Sequence, residues 1–160
     1  MSAGERSIAV TVNGAYRTVT VVPSMTLLEM VRSRLELTGS KECCAEGECG
    51  ACTMIVDGAA VNACLVLAVE ADGSVVTTIE GLGAGGITPL QESFLAAGAV
   101  QCGFCIPGMM MAATALLERV RQPSEREVRE GLSGNLCRCG GYARICAAVL
   151  EVAGKGGPDA

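Results

Sequence analysis

Residues 44–64, CAEGECGACTMIVDGAAVNAC, place four cysteines around one short segment of the chain. Cys44, Cys49 and Cys52 come first and Cys64 follows, with the spacing C-x4-C-x2-C-x11-C. The cysteine- and glycine-rich segment 41–52 is typical of a loop. Asp57-Gly58 lies between two β-rich runs and is a strong turn signal, so a hairpin is predicted over 53–64. Because a hairpin reverses the chain, we expect Cys64 to return to the loop and close a four-thiol site.

A second set of four cysteines has a different spacing. Cys102, Cys105, Cys137 and Cys139 follow the pattern C-x2-C-x31-C-x-C. Four thiolates are the ligand count of a [2Fe–2S] cluster, and C-x4-C-x2-C is the plant-type ferredoxin spacing. Two such sites in one small chain indicate an electron relay.

Zinc and disulfide bonds are the alternatives to iron for these cysteines. Two four-cysteine zinc sites satisfy the same count, but the spacing of the first set favours iron. Disulfides are disfavoured because Met1–Arg6 is short and polar and carries no secretory signal, which predicts a cytoplasmic protein. Cys43 is predicted to be a non-ligand, since only Cys44 fits the spacing. Cys146 lies within a predicted helix and is read as a small buried apolar residue.

Composition excludes several classes of protein. The chain has 160 residues, a net charge of −5 and no histidine. The acidic balance argues against nucleic acid, and the lack of histidine excludes a Rieske centre or a histidine base in this chain. The longest mostly apolar run, 106–117, is too short to span a bilayer. Half of the residues are apolar, so we expect part of the surface to be covered by a partner.

The pattern of the first 80 residues predicts a small α+β domain. Asn13-Gly14 joins β-rich runs at 7–12 and 16–22 and predicts a hairpin. Thr26 and Glu29 form a capping box for a helix over about 26–37, and residues 75–79 are typical of a last strand.

Everything after a glycine run is predicted to be helical. The run gives a linker at 81–87, followed by a helical domain at 88–153 and a disordered tail at 154–160. Each cysteine pair of the second set precedes a helix, and helix N-termini, with their partial positive charge, suit an anionic cluster.

Met109, Met110 and Met111 are interpreted as packing residues. Helices are predicted from Pro89 to about 97, from Pro107 to about 121, from Ser124 to about 132 and over 142–152.

Three segments resemble one known family. They are CCAEGECGACTMIVDGAAVNACL (43–65), QCGFCIPGMMMAA (101–113) and GNLCRCGGYARI (134–145). They are similar to the iron–sulfur subunit of the molybdenum hydroxylases, the xanthine dehydrogenase and aldehyde oxidoreductase family. The resemblance covers residues 7–152 and implies a plant-ferredoxin-like β-grasp domain followed by a four-helix bundle. Cys43 and Gly140 depart from the family pattern, which has glycine and threonine there.

The resemblance also implies a function, an electron-transfer subunit of an oxidoreductase that carries no substrate chemistry itself. A large subunit with the molybdopterin cofactor hydroxylates the substrate, an aldehyde or an N-heterocycle. Electrons then pass through the cluster at Cys102, Cys105, Cys137 and Cys139 and through the one at Cys44, Cys49, Cys52 and Cys64, to FAD on a medium subunit. Gln101 and Cys139 are implied to lie against the pterin, in a dimer of heterotrimers. The alternative is a free-standing two-cluster carrier.

Overall fold

The computed structural model describes residues 4–154, and its α+β architecture confirms the predicted fold class. Residues 155–160 of the predicted disordered tail lie outside the described part, whereas Gly154 is the last residue of a helix. The strands are β1 (Arg6–Val12), β2 (Ala15–Val21), β3 (Thr53–Val56), β4 (Ala59–Asn62) and β5 (Val75–Thr77). The helices are α1 (Leu27–Ser33), α2 (Ile79–Leu82), α3 (Pro89–Ala96), α4 (Ile106–Arg119), α5 (Glu125–Gly131) and α6 (Tyr142–Gly154), with a 3-10 turn at Ala68–Ala71.

Both predicted hairpins are present. Asn13 and Gly14 have φ values of 50° and 77°, and Asp57 and Gly58 have 49° and 81°, as two-residue turns of this kind require. The two hairpins belong to one sheet of order β2-β1-β5-β3-β4. Its centre is a parallel pairing of β1 with β5, which the local sequence pattern did not predict.

Helix α1 is shorter than predicted. The Thr26–Glu29 capping box is present, but the helix ends at Ser33 instead of near residue 37. Glu36 takes a positive φ of 59°, and the amide N–H of Leu37 bonds the Val31 carbonyl at 3.1 Å. Leu35 and Leu37 still pack on the sheet core from this coil. Leu35 lies four residues after Val31, so it continued the apolar stripe past the end of the helix.

Four helices, α3 to α6, form the second unit around a core of their own. The Ser124–Glu127 capping box starts α5 as predicted, and Thr88 with Gln91 forms a further one at α3. Met109, Met110 and Met111 are all buried, so their interpretation as packing residues is confirmed. Cys146 is also buried in this core, as predicted. Among the described helices, α4 is the longest with 14 residues, and none is long and apolar enough to cross a bilayer.

The junction between the units is anchored where it begins. One helical turn, α2, begins at Ile79 and overlaps the first two residues of the predicted linker, so the predicted last strand ends at Thr77 and not at residue 79. Asn13 and Thr78 exchange two hydrogen bonds of 2.9 Å, and Glu80 accepts one of 2.7 Å from the Gly39 amide. The polypeptide therefore leaves the sheet in a defined direction before it reaches α3.

Candidate iron–sulfur sites

The first cysteine loop curls because three of its residues adopt positive φ. Ala45, Gly47 and Gly50 have φ values of 57°, 84° and 67°. Asn62, at the end of β4, holds the loop against the hairpin by donating a hydrogen bond of 2.7 Å to the Gly47 carbonyl. The hairpin β3–β4 thus returns the chain to the loop, and it brings Cys64 back to Cys52 as the spacing predicted.

The four predicted ligands of the first set approach one another in pairs. The thiol of Cys44 interacts with that of Cys49, and the thiol of Cys52 with that of Cys64. Backbone N–H groups, that of Glu46 foremost, and the Cys49 thiol lower the pKa of the Cys44 thiol to about 7. Burial chiefly raises the pKa of Cys52 to about 12, since the charged form loses its hydration.

Cys43 also lies beside this set, but its surroundings differ from those of Cys44. Its side chain is exposed, and its thiol interacts with that of Cys49. The negative charge of Cys49 and this interaction raise the pKa of Cys43. The three backbone N–H groups that reach the Cys44 sulfur come from Glu46, Cys49 and Glu48, an arrangement that stabilises a thiolate.

The second set is also arranged in pairs, at one end of the helical bundle. The thiol of Cys102 interacts with that of Cys139 on the exposed side, and the thiol of Cys105 with that of Cys137 on the inner side. The Phe104 N–H and the Cys139 thiol lower the pKa of Cys102, while burial foremost raises that of Cys105 to about 12. Burial opposes ionisation of Cys137, but N–H groups of its loop, that of Gly141 first, lower its pKa.

The pairwise arrangement matches the chemistry of a two-iron cluster. Each iron of a [2Fe–2S] unit takes two protein thiolates, and the two irons are bridged by sulfide. Within residues 4–154 no group of three or more cysteine or carboxylate side chains converges on one point at the spacing of a single-metal site. The thiols of the eight predicted ligands instead lie two by two, and backbone N–H groups point at several of the sulfurs. Donor type and grouping therefore fit the cluster.

Gln101 lies at the same end of the bundle as the second set. A methyl group built at Gly141 would lie 3.8 Å from both the Gln101 amide nitrogen and the Cys137 sulfur. Gln101, Cys102 and Cys139 are all exposed. The exposed Val100 and Phe104 flank them, which leaves an apolar rim around a polar amide and a thiol. This end of the bundle presents the second site to the outside.

A direct contact between the two cysteine loops was missed by sequence reasoning. The Leu136 N–H donates to the Cys49 carbonyl at 2.9 Å, so a residue next to Cys137 bonds a predicted ligand residue of the first site. The buried Asn135 side chain donates to the Gly50 carbonyl at 2.9 Å and to the Thr53 hydroxyl at 3.1 Å. An asparagine two positions before a predicted ligand was the available signal, but its partners are more than 80 residues away.

A further contact orients the second loop. The Cys137 N–H donates to the Tyr142 hydroxyl at 2.8 Å. Tyr142 is the first residue of α6, so the start of that helix holds the ligand loop in place.

Substitution of Asn135 by alanine is expected to loosen the contact between the two units. It removes two buried hydrogen bonds and leaves the Gly50 carbonyl with fewer donors, which should cost about 1–3 kcal/mol of stability. Thermal unfolding of the cluster-loaded protein should then begin at a lower temperature. Ser133→Ala, which alters an exposed hydroxyl two residues earlier, is the matched control and should unfold as wild type does. Equal unfolding of both variants would contradict the role given to Asn135.

Comparison with known proteins agrees with this geometry. Residues 10–76 match the family described as "2Fe-2S iron-sulfur cluster binding domain", and residues 78–150 match "[2Fe-2S] binding domain". Together the fold and these matches define an iron–sulfur protein with two [2Fe–2S] domains.

Three similar proteins indicate which kind of iron–sulfur protein this chain is. The small subunit of nicotine 6-hydroxylase from Paenarthrobacter nicotinovorans is 51% identical, over 92% of this chain and 90% of its own. A chain of quinoline 2-oxidoreductase from Pseudomonas putida 86 superposes with a TM-score of 0.89 at 44% identity, covering 96% of this chain and 98% of that one. Aldehyde oxidoreductase from Desulfovibrio desulfuricans ATCC 27774 gives a TM-score of 0.90 at 41% identity, over 94% of this chain but 17% of its own.

The chain belongs to the iron–sulfur subunits of the molybdenum hydroxylases, the xanthine dehydrogenase and aldehyde oxidoreductase family. It is an electron-transfer subunit of an oxidoreductase, with two [2Fe–2S] clusters as its cofactors. In this family the molybdopterin cofactor and FAD are carried on partner subunits.

Proposed function

We propose that this chain carries electrons singly from a molybdopterin-binding large subunit to an FAD-binding medium subunit. They enter at the cluster of Cys102, Cys105, Cys137 and Cys139. They leave from the cluster of Cys44, Cys49, Cys52 and Cys64. A bound [2Fe–2S] cluster supplies one-electron redox chemistry. The protein supplies the ligands, the hydrogen bonds to sulfur and the spacing between the two sites.

The observation that supports the relay most strongly is the contact between the two cysteine loops. Cys137 and Cys49 are joined through the Leu136 N–H and the Cys49 carbonyl, with no intervening side chain. Next to Cys49, the Gly50 carbonyl accepts hydrogen bonds from the Asn135 side chain and from the Thr53 hydroxyl. This network holds the two sites in one fixed arrangement, as efficient transfer between them requires.

We propose that electrons enter the chain at the exposed end of the helical bundle. The Gln101 amide can donate to and accept from a heterocycle, and Cys139 is an exposed proposed ligand beside it. The apolar rim of Val100 and Phe104 fits a surface covered by a partner. For the outlet we propose the exposed surface around Cys64, where Leu65 is 59% exposed.

The partners follow from the family. We propose a heterotrimer of this chain with the molybdopterin and FAD subunits, paired into a dimer of heterotrimers. We place the complex in the cytoplasm, where reducing conditions keep cysteine thiols available as cluster ligands.

Anaerobic isolation of the native complex tests this proposal. The chain is expected to co-purify with two larger subunits, one containing molybdenum and one containing FAD. Substrate should then reduce the second cluster and the first cluster before the acceptor is reduced. A lone monomer that retains both clusters at native expression would contradict the complex and favour a free-standing carrier.

A further inference from the structure

The five-stranded sheet ends in an edge strand with which no other strand of residues 4–154 pairs. The strand order β2-β1-β5-β3-β4 places β4 at this edge, and its residues Ala59 and Ala60 are exposed. An uncovered edge presents main-chain N–H and C=O groups to any further strand, and proteins usually protect such an edge with charged residues, proline or a bulge. The sequence of β4, AAVN, contains neither a charged residue nor a proline.

The register of the hairpin shows which main-chain groups of β4 are available. Pairs across an antiparallel hairpin alternate between hydrogen-bonded and non-hydrogen-bonded ones. The two-residue turn at Asp57-Gly58 makes Val56 and Ala59 a hydrogen-bonded pair, so the next residue, Ala60, is not bonded to β3. The N–H and C=O of Ala60 therefore point outward, and within residues 4–154 they bond no other main-chain group. The same alternation turns the Asn62 N–H outward.

A groove of about 560 Å³ lies between this edge and helix α4. The hairpin contributes Ala59 and Ala60 to its lining, and α4 contributes Ala112 and Ala115. These small side chains leave space that a larger side chain can fill from outside. In an added strand, the residue opposite Ala60 would direct its side chain to the same face of the sheet as Ala60 does, and hence into this groove.

We propose that the edge of β4 receives an extended segment of the FAD-binding medium subunit, which adds a sixth strand to the sheet. The main chain of that segment bonds Ala60 and Asn62, and one of its apolar side chains fills the groove. The inference rests on the proposed function, because β4 ends at Asn62 and leads directly to Cys64 and Leu65, where the outlet is proposed. A strand added here brings its own subunit beside the first site.

The β4 edge is held in place by contacts within this chain. The Asn62 side chain donates to the Gly47 carbonyl at 2.7 Å, and the Asn62 carbonyl accepts from the Leu65 N–H at 2.9 Å. The opposite edge strand, β2, differs because it carries the exposed and charged Arg17, a residue of the kind that discourages pairing. The unprotected edge is therefore the one that adjoins the first site.

Replacement of Ala60 by proline tests this proposal in the complex of the full chain with its partner subunits. Proline removes the outward N–H and is tolerated at such a position of an edge strand, so the chain should still bind both clusters. The affinity for the FAD subunit, measured by dilution of the purified complex, should fall about tenfold or more.

Thr18→Pro is the matched control for this substitution. Thr18 lies three residues after Ala15, which closes the first hairpin with Val12, so its N–H also points outward, but from β2. This variant should bind the FAD subunit as wild type does. An Ala60→Pro complex as stable as wild type, or equal weakening by Thr18→Pro, would overturn the inference.

Hydrogen–deuterium exchange of the wild-type protein gives a second measurement that needs no variant, and it decides alone if Ala60→Pro fails to bind both clusters. Amides of residues 59–62 should exchange more slowly once the FAD subunit is bound. Unchanged exchange there would contradict the inference, as would protection by the molybdenum subunit alone or a dimer of the isolated chain that Ala60→Pro dissociates. Each of these results leaves the proposed function in place, whereas a wild-type chain that binds no FAD subunit would overturn both.

Discussion

Replacement of Cys52 by alanine is expected to remove the first cluster and to leave the second in place. Cys52 is buried and its thiol interacts with that of Cys64, so alanine at this position leaves the first cluster one thiolate short. Iron content should fall from about four to about two atoms per chain, and one of two reduced EPR signals should disappear. In the assembled enzyme, electrons from substrate should then stop at the second cluster and fail to reach FAD.

The second cluster should survive because the two units have separate cores. The sheet core includes Val10, Leu27 and Met54, whereas the helical core includes Phe94, Met109 and Ile145. Cys146→Ala is the matched control, since it removes a buried cysteine that belongs to neither set, and it should keep about four iron atoms. Loss of both EPR signals in the Cys52 variant would show that the two units do not fold independently.

Substitution of Gly108 by alanine is expected to disturb the docking of the two units. Gly108 lies in the first turn of α4, and a methyl group there would overlap the carbonyl oxygen of Gly50 on the first cysteine loop. The obstacle is backbone, so the helix or the loop has to shift, at a cost of about 1–3 kcal/mol. For a chain of this size, each kcal/mol lowers the melting temperature by about 2–4 °C.

The same shift should change the interaction between the two clusters. Gly50 follows Cys49, and α4 follows Cys105, so a displaced contact alters the distance between the two sites. The magnetic interaction between the reduced clusters, measured by EPR power saturation, is therefore expected to weaken. Gly134→Ala is the control, since a methyl group at Gly134 meets no atom within 4 Å. Wild-type melting and saturation in the Gly108 variant would contradict the proposed docking.

Local features of the fold were predictable from the sequence. Asn13-Gly14 and Asp57-Gly58 specify two-residue turns by their tolerance of positive φ, and both hairpins are present. The Thr26–Glu29 and Ser124–Glu127 boxes depend on residues three apart, and both were identified. Patterns of this kind involve neighbours in the chain, so they can be read without knowing the tertiary structure.

Features that depend on distant residues were not predictable in the same way. The parallel pairing of β1 with β5 joins segments about 60 residues apart, and nothing in either strand specifies the partner. The predicted end of α1 was wrong because Leu35, which continues the apolar stripe of the helix, packs on the sheet core from a coil segment.

The candidate sites were also predictable only where neighbouring residues determine them. Cysteine spacing indicated both four-thiol sets, but it carried no information on which thiols pair within a set. The contact between the two cysteine loops was not predictable either. Asn135 and Leu136 donate to the carbonyls of Gly50 and Cys49, which lie in the other unit. The assignment of the eight individual ligands stays a prediction that the paired geometry supports.

EPR of the dithionite-reduced, anaerobically purified protein, with iron, sulfide and zinc analysis of the same sample, tests the central claim most directly. The account predicts about four iron and about four sulfide atoms per chain, with two distinct signals of about equal spin, one for each four-cysteine set. Stoichiometric zinc, or iron sufficient for a single cluster with one signal, would contradict it.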